Sequence, residues 1–207
     1  MNSSQAIILG ITGSIACGKT ETGRILSAEG FKVLDSDFLA HELMGKDRPV
    51  YDAVVEHFGG AILGEDGEID RVKLGNKIFA DPKERAVLNR LVHPAVIKAA
   101  QEWISDCRTM QEDAAVLVPL LFEASWTEGW DAVVCLTAPE EQIFKRLEKR
   151  GFSKEETRRR VAAQMLQSEK ADKADFVIEN SGTIEMLRSR VVNVVEKIRC
   201  EKRKCYE

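Results

Sequence analysis

The sequence has no cysteine pair spaced C-x-x-C, no apolar run of membrane-crossing length, no internal repeat and no surplus of positive charge. Each absence excludes a class of protein. Five cysteines, Cys17, Cys107, Cys135, Cys200 and Cys205, make an odd count at irregular spacing. That argues against a disulfide framework or a zinc ribbon and for reduced thiols in a cytoplasmic protein. Without a long apolar stretch no transmembrane helix is expected. Met1 to Gln5 are polar and lead directly into a strand pattern, unlike a signal peptide. A net charge of -4 and a pI near 5.6 argue against binding to nucleic acid, which calls for a basic face. A local basic pocket for a small phosphorylated compound remains compatible with that charge. What is present is an ordinary globular composition, 207 residues with 44% hydrophobic and 31% charged, enough to bury a core without staples.

Apolar strand-like runs alternate with helical patterns, which predicts an α/β fold with a mainly parallel sheet flanked by helices. Ala6 to Thr12 is apolar on both faces, as a buried parallel strand should be. A helix follows a glycine-rich turn and stops near Gly30. Phe31 to Leu34 reads as the second strand. From about Phe38 to Asp113 no strand is convincing, and the stretch reads as an inserted helical lobe. Within it Asp81-Pro82-Lys83-Glu84 is a helix start, with an N-cap, a proline at the first position and an acid in the first turn. Sheet signals return at Ala114 to Leu121 and at Asp131 to Thr137. A helix opens after Pro139, Gly151 interrupts it, and Ser153 with Glu156 forms a capping box before the next. Asp175 to Ile178 is a short last strand, and Thr183 to Arg203 a terminal amphipathic helix. The expected layout is one domain, 1–207. Its core is about 1–37, 114–138 and 171–207, its helical lobe about 38–113, and its helical lid about 139–170.

Gly13-Ser14-Ile15-Ala16-Cys17-Gly18-Lys19-Thr20 satisfies G-x-x-x-x-G-K-[ST] between the first strand and the first helix. The glycines allow the backbone to curl so that successive N–H groups face an anion, and the helix adds its positive end. Lys19 would reach the β- and γ-phosphates of ATP, and the Thr20 hydroxyl would face Mg²⁺. This is the reading of a P-loop phosphotransferase.

Asp35 and Asp37 close the second strand, on the side of an α/β sheet where ligands bind. A carboxylate there can orient or deprotonate an acceptor hydroxyl or hold Mg²⁺ through water; the alternative is that one Asp caps the helix at Phe38, with Asp35 or Ser36 as that cap, and the other is solvated. Leu117 to Glu123 is apolar and ends in an acid. It reads as a pocket lining or as a buried strand with a capping carboxylate. Arg146, Arg150, Arg158, Arg159 and Arg160 flank the Gly151 turn and suit a lid over a triphosphate; singly each is also a solvated surface charge. His93-Pro94 marks a bend in a helical pattern. His41 and His57 have no ligand-like partners nearby in sequence, and the basic tail Lys197 to Lys204 reads as solvated.

Taken together, GITGSIACGKT, VLDSD, FADPKERAVLNRLVHP, VPLLFE, RVAAQ and KADFVIEN resemble the dephospho-CoA kinase family, from Ile8 to about Ser181. The resemblance implies a nucleoside-monophosphate-kinase-like core, a helical lobe for the CoA moiety and a lid. It implies ATP-dependent phosphorylation of the ribose 3′-hydroxyl of dephospho-CoA, the last step of CoA synthesis, by a monomer or weak homo-oligomer. By position it implies Asp37 facing the 3′-hydroxyl with Asp35 beside it, Lys19 and Arg150 at the phosphates, and His93, Pro94 and Glu123 bordering the acceptor. Residues Gly13 to Glu21 would hold ATP. The loop departs from the family's usual GGIGSGKST at Ser14, Ala16, Cys17 and Glu21. Two other readings share the phosphate loop. One is a kinase for another small acceptor, such as a nucleoside monophosphate or shikimate. The other is a nucleotide-driven switch, against which the absence of N-K-x-D counts.

Overall fold

The computed structural model describes residues 6–204; Met1 to Gln5 and Cys205 lie outside them. The chain divides into two compact units, Met1–Asp35 with Trp103–Glu207, and Ser36–Glu102.

The first unit is built on five parallel strands: β1 Ile8–Gly13, β2 Lys32–Asp35, β3 Ala114–Leu117, β4 Ala132–Thr137 and β5 Phe176–Glu179. Their order is β2-β3-β1-β4-β5. β1 is therefore central and apolar on both faces, with all six residues buried. Its neighbours β3 and β4 carry the chain to opposite sides, so its carboxyl end opens at the switch point where α/β folds bind ligands. Helix α1, Lys19–Ala28, packs with the C-terminal helix on one face, while the seven-residue helix Gln167–Lys173 packs on β1 and β4. The core joins Leu9, Ile11, Leu26, Leu117, Leu136 and Val191, among others.

One device sets the register at the amino ends of the strands. Asp113, Asp131 and Asp175 stand just before β3, β4 and β5. Their carboxylates accept from Ile7 N at 2.9 Å, Ile8 N at 2.7 Å and Val133 N at 2.7 Å. Asp131 and Asp175 are thus anchors before the strands rather than strand residues, and both stand at positions where strand starts were expected. The C-terminal helix, Ile184–Lys204, returns to the same edge. Arg199 pairs with Asp113 at 3.1 Å and Lys202 with Asp131 at 3.0 Å. The basic tail is accordingly not merely solvated, because the helix brings its last turns to these carboxylates.

The segment Ala114 to Leu121 is strand only to Leu117. Val118 N still reaches Ile11 O at 2.8 Å, but Pro119 has no N–H to continue the ladder, and the chain turns through Glu123.

The second unit holds α2 Ser36–Leu43, α3 Tyr51–Phe58, a 3-10 turn Gly60–Ile62, α4 Arg71–Ala80 and α5 Pro82–Thr109, which continues past Glu102 into the first unit. Its own core is Val54, Phe58, Ile62, Leu74, Leu88 and Val92 with their neighbours. Asp70 caps α4 by accepting from Val72 N and Lys73 N, and these bonds hold its carboxyl below the usual range. Asp81 accepts from Lys83 N at 2.8 Å, so α5 begins where the Asp-Pro pair places it. Pro94 does not interrupt α5, which is assigned as one helix of 28 residues. A proline removes one intrahelical bond and crowds the preceding turn, while Leu88, Val92 and Val96 keep one face buried across it.

Around the sheet, Thr22 of α1 is buried and its hydroxyl has no hydrogen-bond partner among the described residues. It lines a small void with Leu9, Ile11, Val134, Val191 and Val195. An unpaired buried hydroxyl costs stability that an apolar group of the same shape does not. Thr22→Val is therefore expected to raise the urea unfolding free energy by about 1 kcal/mol, with unchanged cooperativity.

Candidate active site

The loop between β1 and α1 adopts the curl its glycines allow. Gly13 and Gly18 have φ of 137° and 113°. A Cβ on Gly13 would lie 2.2 Å from Leu136 O, and one on Gly18 2.3 Å from Asn180 Nδ2. Neither position admits a side chain. Ala16 also has positive φ, 58°, so the alanine that replaces the expected glycine sits in a left-handed conformation that L-residues enter at a cost.

The loop turns several carbonyls toward donors and so leaves amides free to face an anion. Lys19 Nζ donates to Gly13 O at 2.8 Å and to Ser14 O at 2.9 Å. Arg146 Nη1 donates to Ala16 O at 3.0 Å, and Asn180 Nδ2 to Cys17 O at 2.9 Å. Arg146 is held in place by Gln142 Oε1 and Asn180 O, each at 3.0 Å. Two amides of the loop are engaged: Ile15 N donates to Gln164 Oε1 at 2.9 Å and Cys17 N to Ser14 O at 3.3 Å. Cys17 is fully buried, with Sγ against Gly13 and 3.9 Å from Lys19 Nζ. Glu21 stands in the first turn of α1 and its carboxylate pairs with Arg24 at 3.0 Å, so only its backbone is left for a nucleotide.

Beyond the strand ends, Asp35 closes β2 in register with Leu117, and Asp37 follows in the first turn of α2, exposed. Glu123 stands in the turn after β3, not in a strand. Its Oε1 accepts from Met165 N at 2.9 Å and lies 2.8 Å from Lys170 Nζ. Lys170 is the largest fully buried side chain of the described residues, and its ammonium also donates to Pro119 O at 2.6 Å. A buried ammonium needs a paired carboxylate, and Glu123 supplies it. Burial pushes the Cys135 thiol, on the same strand end, up to about 11, with Cys17 adding to the rise and Lys170 and Lys19 opposing it.

The remaining expected residues stand on other elements. His93 and Pro94 sit within α5 in the second unit. Arg150 is exposed in the turn after helix α6, Glu140–Glu148, and its side chain makes no bond with the described residues. Arg159 and Arg160 of α7, Lys154–Ala162, pair with Glu155 and Glu156, and Arg160 also stacks 4.3 Å over Phe152. The histidines do find partners, although none is a metal ligand set: His57 meets Glu84 at 2.9 Å and His41 accepts from Arg71 at 3.0 Å. Of the lid arginines, Arg146 reaches the loop. Lys170, Asn180 and Gln164 were legible only as members of motif runs or charged stretches. Nothing local in sequence marks a lysine as buried or a glutamine as bonded 149 residues away.

A model of the dephospho-CoA kinase family matches residues 7–186. The chain belongs to the dephospho-CoA kinase family. It is 42% identical over 192 residues to a dephospho-CoA kinase of Carboxydothermus hydrogenoformans, covering 92% of this chain and 93% of the relative. The solved structure of TT1252 from Thermus thermophilus superposes with a TM-score of 0.77 at 33% identity, covering 93% of this chain and 97% of that one. A dephospho-CoA kinase from Campylobacter jejuni does so with a TM-score of 0.67 at 27% identity, covering 94% and 98%.

Two outcomes test the loop. Ala16→Gly removes the left-handed strain and loses one partly buried methyl, so it is expected to stabilise the protein by about 0.5–1 kcal/mol in urea unfolding. Iodoacetamide under native conditions, read by peptide mass mapping, should label exposed Cys200 and leave buried Cys17, Cys107 and Cys135 unmodified. Labelling of Cys17 in the folded protein would contradict the packing described.

Proposed function

We propose that this chain transfers the γ-phosphoryl group of ATP to the ribose 3′-hydroxyl of dephospho-CoA, giving CoA and ADP as the last step of CoA synthesis. The observation that carries the reading is the family match over residues 7–186 combined with a phosphate loop whose carbonyls are already engaged. The match extends through the helical unit as well as the sheet, which favours this acceptor over a nucleoside monophosphate or shikimate. A nucleotide switch that transfers nothing has no comparable support.

In this reading the amides of the loop and the head of α1 bind the ATP phosphates, and Lys19 exchanges its carbonyl partners for the β- and γ-phosphates. Arg146 holds the loop, and Arg150 joins the phosphates from a lid of about residues 139–170. Asp37, two residues beyond β2, accepts the proton of the 3′-hydroxyl, with Asp35 as its neighbour. The helical lobe, about 38–113, takes the CoA moiety, with His93, Pro94 and Glu123 bordering the acceptor.

Among the described residues no three His, Cys, Asp or Glu side chains are placed to hold a metal. Magnesium carried on nucleotide phosphates needs only one or two protein oxygens. The Thr20 hydroxyl, exposed at the head of α1 and engaged by nothing described, is a donor of that kind. When bound, Mg²⁺ would neutralise phosphate charge. The described residues include no helix long and apolar enough to cross a membrane; the reaction is assigned to the cytoplasm on the kinase reading.

Incubation of dephospho-CoA with protein, ATP and Mg²⁺ should add the mass of one phosphate, located on the ribose. Absence of turnover, with turnover of another acceptor, would remove the proposed substrate. Asp37→Asn should leave ATP binding intact while kcat falls by about 100-fold or more; unchanged kcat would exclude Asp37 as the base.

A further inference from the structure

Gln164 lies just past the end of α7, in the segment that returns from the region read as a lid, yet its carboxamide is bonded to the phosphate loop. Ile15 N donates to Gln164 Oε1 at 2.9 Å. An N–H can meet only the oxygen of a carboxamide, so this bond fixes which end of the side chain is which. The Nε2 end makes no hydrogen bond with the described residues, and the side chain is half-buried.

The partner peptide locates this group. Ser14 and Ile15 share one peptide unit, whose carbonyl accepts from Lys19 Nζ at 2.9 Å and whose N–H is taken by Gln164. Lys19 is the residue of this motif that reaches the β- and γ-phosphates. The loop's amides are the groups that face an anion. A side chain bonded to one of them is on the amide face of the loop, while the lysine is parked on the carbonyl of the same peptide, which points the opposite way. Further along, Cys17 N is taken by Ser14 O at 3.3 Å, and the amides at the head of α1 face the inner phosphates.

Gln164 is also not free to swing. Met165 N is bonded to Glu123 Oε1 at 2.9 Å. Gln167 bonds both ends of the Ala138 peptide groups, accepting from Ala138 N at 2.9 Å and donating to Ala138 O at 3.1 Å. Lys170 is fully buried on Pro119 O and Glu123. The stretch from 164 to 170 is thus fastened to the carboxyl edge of the sheet at residues 164, 165, 167 and 170. The expected lid, drawn to residue 170, contains a fixed part of the site at its end.

We infer that Gln164 is a catalytic residue of the phosphoryl transfer, with Oε1 held by Ile15 N–H and Nε2 donating to an oxygen of the γ-phosphoryl group. This rests on the kinase reading above. In the step, the acceptor hydroxyl oxygen bonds to the γ-phosphorus, and the bond from that phosphorus to the β–γ bridging oxygen breaks. ADP departs with that electron pair and the hydroxyl proton passes to Asp37. Gln164 exchanges no proton. It supplies a fixed donor where negative charge sits during transfer, the kind of group whose loss costs about 100-fold in rate.

Gln164→Glu separates this role from a structural tie. The carboxylate still accepts from Ile15 N–H, but a negative oxygen replaces the donor. The expected result is a fall in kcat of about 100-fold with the thermal midpoint unchanged and ADP, which lacks the γ-phosphate, bound within about twofold of wild type. A fall in kcat of less than tenfold overturns the inference, as does a loss of ADP affinity or thermal midpoint in parallel with kcat. Should Q164E fail to fold, Gln164→Ala is read by the same criterion, kcat against ADP affinity. Each variant is assayed with dephospho-CoA and, without acceptor, for ATP hydrolysis to ADP. If wild type hydrolyses ATP but does not phosphorylate dephospho-CoA, the acceptor assignment fails while the hydrolysis rates still decide Gln164.

Discussion

The site depends on one constraint: a curled backbone must turn its carbonyls to donors so that amides remain to face an anion. A loop that simply closed on itself would spend its N–H groups internally and offer an anion nothing. Here the carbonyls of Gly13, Ser14, Ala16 and Cys17 are taken by Lys19, Arg146 and Asn180. Two of those three donors are cationic, so the same contacts that shape the loop also bias it toward an anion. The positive φ of Ala16 is tolerated in this setting because its carbonyl is pinned by Arg146 and its neighbour's by Asn180.

Two of those donors, Arg146 and Asn180, come from distant parts of the chain, which is why the sheet matters to the chemistry. Arg146 rides on the helix after β4, and Asn180 follows directly on β5. Parallel pairing brings both strand ends level with the end of β1. The level is set at the opposite edge, where Asp113, Asp131 and Asp175 each grip the first amides of a neighbouring strand. A slip of one residue would carry Asn180 about 3.3 Å away from the carbonyl it holds, and with it the support of the loop. The register anchors and the phosphate loop are two ends of one device.

The buried Lys170 serves the same edge from below. Its charge is tolerated because Glu123 and Pro119 O meet it, and it thereby fixes a carboxylate and the return of the chain at Met165. Buried ion pairs contribute little net stability but specify geometry when fully satisfied. In this fold the geometry specified is that of the strip from Pro119 to Glu123 and the strip from 164 to 170.

Much was determined by sequence alone. The phosphate loop, the parallel α/β class, the helix starts at Asp81-Pro82 and Ser153, and the family rest on local chemistry, on periodicity and on motif runs, all of which act over a few residues. The Ala16 conformation was legible as a question, since a glycine is the residue that position prefers. What only the tertiary structure decided is how the loop is held: that Arg146 reaches it, that Asn180 and Gln164 bond its backbone, that Lys170 is buried, and that Pro119 ends β3. It also showed α5 passing through Pro94 without a break, because burial on one face outweighs a lost backbone bond. These facts depend on which strand ends lie side by side. No spacing in the chain encodes that directly, because contacts between residues 130 to 163 positions apart exist only once the sheet has formed.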